Sequence, residues 1–168
     1  DGDVMEKKVV ALMSGIPAVE NPEAKQQIAF VANDEPVVGI ITDPELTSTN
    51  VTLYIKREPI PTEYNKTPDA ALLDLLDQFM MTIADERFSD IARQPNAPFV
   101  SGGMYSGHMN NVMEVTLVQA NARDGEALRA FEAMYTEVEK MIRFGFTQSE
   151  FDRAKTEIER QIQQAYDR

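Results

Sequence analysis

The 168 residues are 43% hydrophobic, enough to bury one sizeable core and of the usual size for a single domain. Sixteen basic against 28 acidic residues leave a formal charge of -12, which keeps a surface soluble and repels phosphate backbones and anionic membranes, so nucleic acid is excluded as a partner. The lack of cysteine removes disulfides, thiolate zinc sites and cysteine nucleophiles, and no run reaches the ~18 to 20 consecutive apolar residues of a membrane span.

The start, Asp1-Gly2-Asp3-Val4, has neither a basic nor an apolar leader region, and Gln161 to Arg168 ends inside a helical pattern with no glycine or proline to stop it. Both ends therefore read as cuts in a longer chain. Met5, Val9, Leu12 and Met13 fall on one helical face, and Gly15 with Pro17 closes that pattern, which predicts a short first helix. Residues 18–36, with Pro22 and scattered charges and amides, read as an extended connector.

Val37 to Thr42 is a compact apolar run, and Val51, Leu53 and Ile55 alternate with Thr52, Tyr54 and Lys56, so the spacing predicts two strands. Asp43-Pro44-Glu45 and Thr47-Ser48-Thr49-Asn50 between them supply turn formers that favour a hairpin-like return, and Pro59 and Pro61 end the second strand. Thr67 before Pro68 is a helix start, because the hydroxyl satisfies one orphan amide and the proline deletes another. A wide stripe from Leu72, Leu73, Leu75 and Leu76 through Phe79, Met80, Ile83, Phe88 and Ile91 predicts a long helix over 69–93 forming the spine of the core. Pro95 and Pro98 forbid its continuation.

Phe99 to Tyr105 and Val112 to Ala120 predict two further strands, joined as a hairpin through residues 107–111. Gly102-Gly103 inside the first of them implies a bulge or a close backbone approach. Leu128, Phe131, Met134, Tyr135, Val138, Met141 and Ile142 give a helix over 125–144 with Gly145 at its C-cap. Thr147-Gln148-Ser149-Glu150 has capping-box spacing, and Phe146 and Phe151 stand where a hydrophobic staple joins the entry to the next helix. The order helix, strand, strand, helix, strand, strand, helix, helix implies an α+β fold: a largely antiparallel sheet of two strand pairs with helices on one face.

No catalytic or metal-ligating set emerges from this order. Hydrolytic zinc takes three protein ligands, and His108, expected as a solvated hairpin-tip residue, is the only imidazole, with no H-x-x-E-H or H-E-x-x-H around it. No G-x-S-x-G accompanies a serine, so a nucleophilic triad is excluded. Ser101-Gly102-Gly103 lacks the lysine and following helix of a phosphate loop. Asp85-Glu86, Asp152 with Glu157, and Glu137 with Lys140 read as solvated helical charge, and the methionines as core filling.

The ordered elements resemble the insulinase/pitrilysin-type zinc metallopeptidases, the inverzincins, over nearly the whole chain. The resemblance rests on Gly2-Asp3 with Gly15-Ile16-Pro17, on Thr42-Asp43-Pro44-Glu45 before an alternating strand, and on Asp85-Glu86-Arg87-Phe88-Ser89-Asp90-Ile91, where Phe88 stands for the family's commoner leucine. It extends through the small-residue strand from Ala97 to Gly107 and through Phe144-Gly145-Phe146-Thr147-Gln148-Ser149-Glu150-Phe151 with Ala154-Lys155. It implies a clamshell of two similar halves around a peptide, with zinc held in the first domain of the active half by residues this chain lacks. Residues 1–17 would be the remnant of that zinc domain, 18–36 the connector, and 37–168 a second, non-catalytic domain.

Under that resemblance the domain supports the zinc domain and walls the peptide chamber. Arg87, Gly145, Thr147 and Glu150 are its structural pattern residues, and Tyr105 and His108 its chamber-lining candidates. The fragment itself needs no cofactor, and zinc belongs to the parent protein. Its partners are the zinc domain, the second clamshell half and a peptide, and the resemblance points to the bacterial periplasm or envelope. An inactive scaffold subunit of the same fold is the alternative.

Overall fold

The computed structural model describes residues 2–17, 19, 21–23, 28–109 and 112–167. Helix α1 (Gly2–Met13) forms where the apolar spacing places it, and none of its residues is buried. Strand β1 (Thr49–Arg57), a 3-10 turn (Thr62–Tyr64), helix α2 (Pro68–Ala92), strands β2 (Phe99–Met109) and β3 (Met113–Ala122), and helices α3 (Ala127–Phe144) and α4 (Gln148–Tyr166) follow. The architecture is α+β, with one antiparallel three-stranded sheet in the order β1-β3-β2. Parts of the expected connector, and Asn110 and Asn111 of the expected hairpin tip, lie outside the described residues.

The strand expected at 37–42 does not form, so the sheet has one hairpin plus β1 and not two strand pairs. Val37, Val38, Ile40 and Ile41 are instead 79% to 88% exposed. The expected turn is made, with the Asp43 carboxylate accepting the Glu45 amide at 2.8 Å and the Asp43 carbonyl accepting the Leu46 amide at 3.1 Å. What fails is pairing. Apolar β-branched composition describes a surface that suits a sheet but supplies no neighbour, and the ladder of β1 runs to β3, from Thr49 opposite Ala122 to Arg57 opposite Glu114.

The β2–β3 hairpin forms as expected, from Met109 opposite Met113 to Phe99 opposite Ala122, with an irregularity between Phe99 and Ser101. Paired residues share a face of the sheet. Val51, Leu53, Val118, Ala120 and Met104 therefore turn towards the helices, where they meet Ala84, Phe88, Phe99, Ala130, Met134, Val138 and Met141 in one core. Helix α2 packs on β2, α3 on β3 and β1, and α4 on α2.

Thr67 caps α2 as its sequence implies, its side chain accepting the Ala70 amide at 3.2 Å with Pro68 at the first turn. Only the second half of the long apolar stripe is core, however: Ile83, Ala84 and Phe88 are buried, while Leu72, Leu73 and Leu76 are half exposed. Those leucines with Leu75 spread over roughly 160° of the helix, wider than the ~100° that one packed face covers.

Candidate functional site

Arg87 lies on the inner part of α2, and the corner between α3 and α4 closes around it. Thr147 caps α4, with the Glu150 carboxylate returning to the Thr147 amide at 2.7 Å and the Thr147 hydroxyl meeting the Glu150 amide at 3.4 Å. Glu150 is thereby fixed, and Arg87 grips it with two bonds, Nε to Oε1 at 2.6 Å and Nη2 to Oε2 at 3.0 Å. The remaining guanidinium donors reach Glu137 Oε1 at 3.1 Å and the Gly145 carbonyl at 3.1 Å. Gly145 holds φ +66° as the chain leaves α3, a conformation that a side chain disfavours.

The Arg87 guanidinium beside Glu150 pulls that carboxyl down to about 2, assisted by the hydrogen bonds from Thr147. Reciprocally, the bonds to Glu150 and then Glu137 push Arg87 above its ordinary value, against the opposing effect of burial. The expected staple rings both find partners on α2: Phe151 stacks on Phe79 with centroids 4.7 Å apart, and the Arg87 guanidinium lies 5.4 Å from the Phe146 ring centre. The arrangement is a satisfied structural knot. Arg87, Gly145, Thr147 and Glu150, singled out from sequence, all meet in it.

Glu137 was missed as a member. It reads as a surface partner of Lys140, and it does accept Lys140 at 3.0 Å, yet it is only 6% exposed and serves Arg87 as well. A signal was available: Glu137 interrupts the apolar stripe Met134, Val138, Met141, and a carboxylate on a buried helix face needs a cation.

A different row of α2 runs along the outer edge of β2. Asp85 Oδ1 accepts the Met104 amide at 3.0 Å and Met81 Sδ accepts the Ser106 amide at 3.1 Å. Four helical residues rise by ~6 Å and two strand residues by nearly the same, so successive turns of the helix match successive outward amides of the strand. The exposed edge is covered in this way. The two glycines permit it. A Cβ on Gly103 would stand 3.0 Å from Asp85 Oδ1, and one on Gly102 would meet the Phe88 and Phe99 rings at 3.3 and 3.4 Å. The close approach expected there is thus made on both sides of β2.

The sheet face turned away from the helices carries Asn50 and Tyr54 of β1, Leu117, Gln119 and Asn121 of β3, and Ser101, Gly103 and Tyr105 of β2. The missing side chain at Gly103 leaves a hollow there. A cleft of about 510 Å³ crosses this face, with Asp85 and Ser89 of α2 as its rim beyond β2. Tyr105 is 55% exposed in it, and its ring occupies the place that a Cβ on Gly107 would take.

His108 does not join Tyr105. It lies within β2 opposite Glu114 and not at a hairpin tip, and because it is three residues on from Tyr105 the two side chains fall on opposite faces. Its Nδ1 is 3.8 Å from Glu114 Oε1, which also accepts the Ile60 amide at 3.1 Å, while Arg57 approaches Oε2 at 3.4 Å. Ser106 donates to Asp77 at 2.7 Å nearby. These groups line a second cleft of about 450 Å³ against α2, with Leu73 and Met81.

The family model described as the peptidase M16 inactive domain matches residues 1–158. The chain belongs to the peptidase M16 family. The fold agrees with solved relatives: the first half of the periplasmic protease PqqL from Escherichia coli superposes with a TM-score of 0.72 at 18% identity, over 99% of this chain and 35% of that one. The whole of that protease gives a TM-score of 0.67 at 18% identity, over 99% of this chain and 18% of its own length. None of the curated proteins matches the sequence.

The M16 domain described by these residues is of the non-catalytic type, in agreement with the insulinase-type resemblance of its motifs. Its one imidazole faces a carboxylate already engaged by Arg57 and the Ile60 amide, and no cluster of three histidine or acidic side chains among the described residues could hold a metal ion. No helix among them is long and apolar enough to cross a membrane.

Proposed function

We propose that this M16 domain is the non-catalytic partner of a zinc-carrying domain in a peptide-hydrolysing clamshell, which it braces and whose chamber it helps to wall. The match of residues 1–158 to the inactive domain of the family carries this reading. The division is residues 1–17 belonging with the zinc domain, 18–36 connecting, and 37–168 forming the bracing domain. Zinc, in this reading, is held outside the chain, and metal-activated water does the hydrolysis there.

The exposed apolar surface near the start supports the bracing role. Val4, Met5, Val9 and Leu12 of α1 are 49% to 76% exposed, and Val37, Val38, Ile40 and Ile41 more so. Apolar surface on this scale marks an interaction site in a soluble protein. The zinc domain is the partner the reading assigns to it, and the second clamshell half closes over the open sheet face with Tyr105. His108, on the helix side of the sheet, is not part of that wall. The description of the solved relative as periplasmic supports a place in the bacterial envelope.

The test compares the chain alone with the chain joined to a zinc-carrying M16 domain and the complementary half. The isolated chain is expected to hold no stoichiometric zinc by elemental analysis and to leave a quenched fluorescent peptide intact, while the assembly cleaves it. Val38→Asp with Ile41→Asp should weaken the assembly's activity and leave the thermal midpoint of the isolated chain unchanged. Stoichiometric zinc in the isolated chain would overturn the proposal, and an assembly that forms without zinc or cleavage would replace it with the scaffold alternative.

A further inference from the structure

The open sheet face has a chemistry of its own beyond forming a wall. Side-chain amides of Asn50, Gln119 and Asn121 lie in the cleft, and each carries one carbonyl and one NH2, the same pair of groups that a peptide backbone presents. Tyr54, beside the cleft, and Tyr105, within it, are each 55% exposed and offer aromatic surface to side chains. Among the described residues Asp85 is the only charged one lining the cleft, and one of its two oxygens is committed to the Met104 amide. Among the described residues Oδ2 has no hydrogen-bond partner. Lys56, the cation on the same face, lies at the far end of β1 beside Val115 and is bonded to Asn33.

We infer that this cleft binds an extended peptide segment and selects a basic side chain on it, through Asp85. The inference rests on the chamber-wall reading above and names the class of peptide that the wall prefers. The amide groups hold backbone, and the hollow over Gly103 admits the basic side chain as far as the rim. The chain's net charge of -12 favours the approach of such a peptide within the ~10 Å that salt leaves unscreened.

The experiment measures fluorescence anisotropy of the full chain with a labelled, otherwise uncharged extended peptide bearing one central lysine, and with counterparts carrying glutamine or glutamate there. Binding is expected in the order lysine, glutamine, glutamate, with about a fivefold to tenfold step from lysine to glutamine, as for one charge-assisted hydrogen bond. Asp85→Asn keeps an oxygen for the Met104 amide and should erase that step, together with its salt dependence, at an unchanged unfolding midpoint. Tyr54→Ser should weaken all three peptides alike.

Equal binding of the three peptides, no binding of the lysine peptide, or a preference that survives Asp85→Asn would each overturn the inference. The two proposals fail separately. An assembly that cleaves peptides while the chain shows no lysine preference removes only the selectivity, whereas zinc and cleavage in the isolated chain remove the wall reading whatever the peptides do.

Discussion

Arg87 and Asp85 stand two residues apart on one helix and belong to opposite kinds of environment. Two steps of a helix turn by ~200°, so one residue faces the α3–α4 corner and the other faces the edge of β2. At the corner the guanidinium is shared among Glu150, Glu137 and the Gly145 carbonyl, and the Arg87 side chain is only 18% exposed. At the edge Asp85 is exposed, with one oxygen bound and the other bordering an open cleft. The difference separates charge that holds a fold from charge left available to a ligand. A saturated ion network stabilises and does little else, while an unsaturated one beside a hollow can still form bonds.

The largest effect should come from the core that both regions share. Phe88→Ala, at a fully buried ring beside Phe99, is expected to cost about 3–5 kcal/mol in chemical denaturation. Arg87→Met should follow closely, at about 3 kcal/mol, because it leaves the largely buried Glu150 carboxylate without its cation and Glu137 with Lys140 alone. A loss below ~1 kcal/mol there would show the corner to be solvated surface charge and would dissolve the contrast with Asp85.

Acid sharpens the same comparison. Glu150 lies at about 2 against its usual 4.5, so the folded state resists its protonation. Its contribution is complete above 4.5 and is lost as pH falls from there through about 2. Urea midpoints measured across that window should fall steeply for the wild type and less so for Arg87→Met, in which the depressed carboxyl has lost the main cause of its shift. Thr147→Ala should cost about 1 kcal/mol through the lost cap. Tyr54→Ser, on the open face, should change stability by no more than ~0.5 kcal/mol, since exposed positions outside special contacts rarely do more.

Much of the fold was legible. Thr67-Pro68, the Thr147–Glu150 box and Gly145 mark helix ends through contacts within a few residues, and all three form as their chemistry dictates. The paired glycines correctly announced a close approach, though not that Phe88, Phe99 and Asp85 would be the neighbours. Residues 37–42 were misread because an apolar run states a need for burial and says nothing about a partner. The four leucines opening α2 were misread for a related reason, since periodicity ranks faces without knowing how far a sheet extends beneath them. Of the site, Tyr105 and His108 stand close in sequence but take opposite faces of the sheet, because β2 extends through Met109.

By itself the sequence determined where most helices begin and end, the β2–β3 hairpin, and that its one histidine stands in no H-x-x-E-H motif, for these depend on local backbone chemistry or on residue counts. Only the tertiary structure decided that β3 lies between β1 and β2, that Arg87 meets carboxylates 50 and 63 residues away, and that Asp85 borders a hollow over Gly103. Those outcomes depend on which distant surfaces pack together. That choice is made by the burial of the whole core, and no short stretch of the chain encodes it.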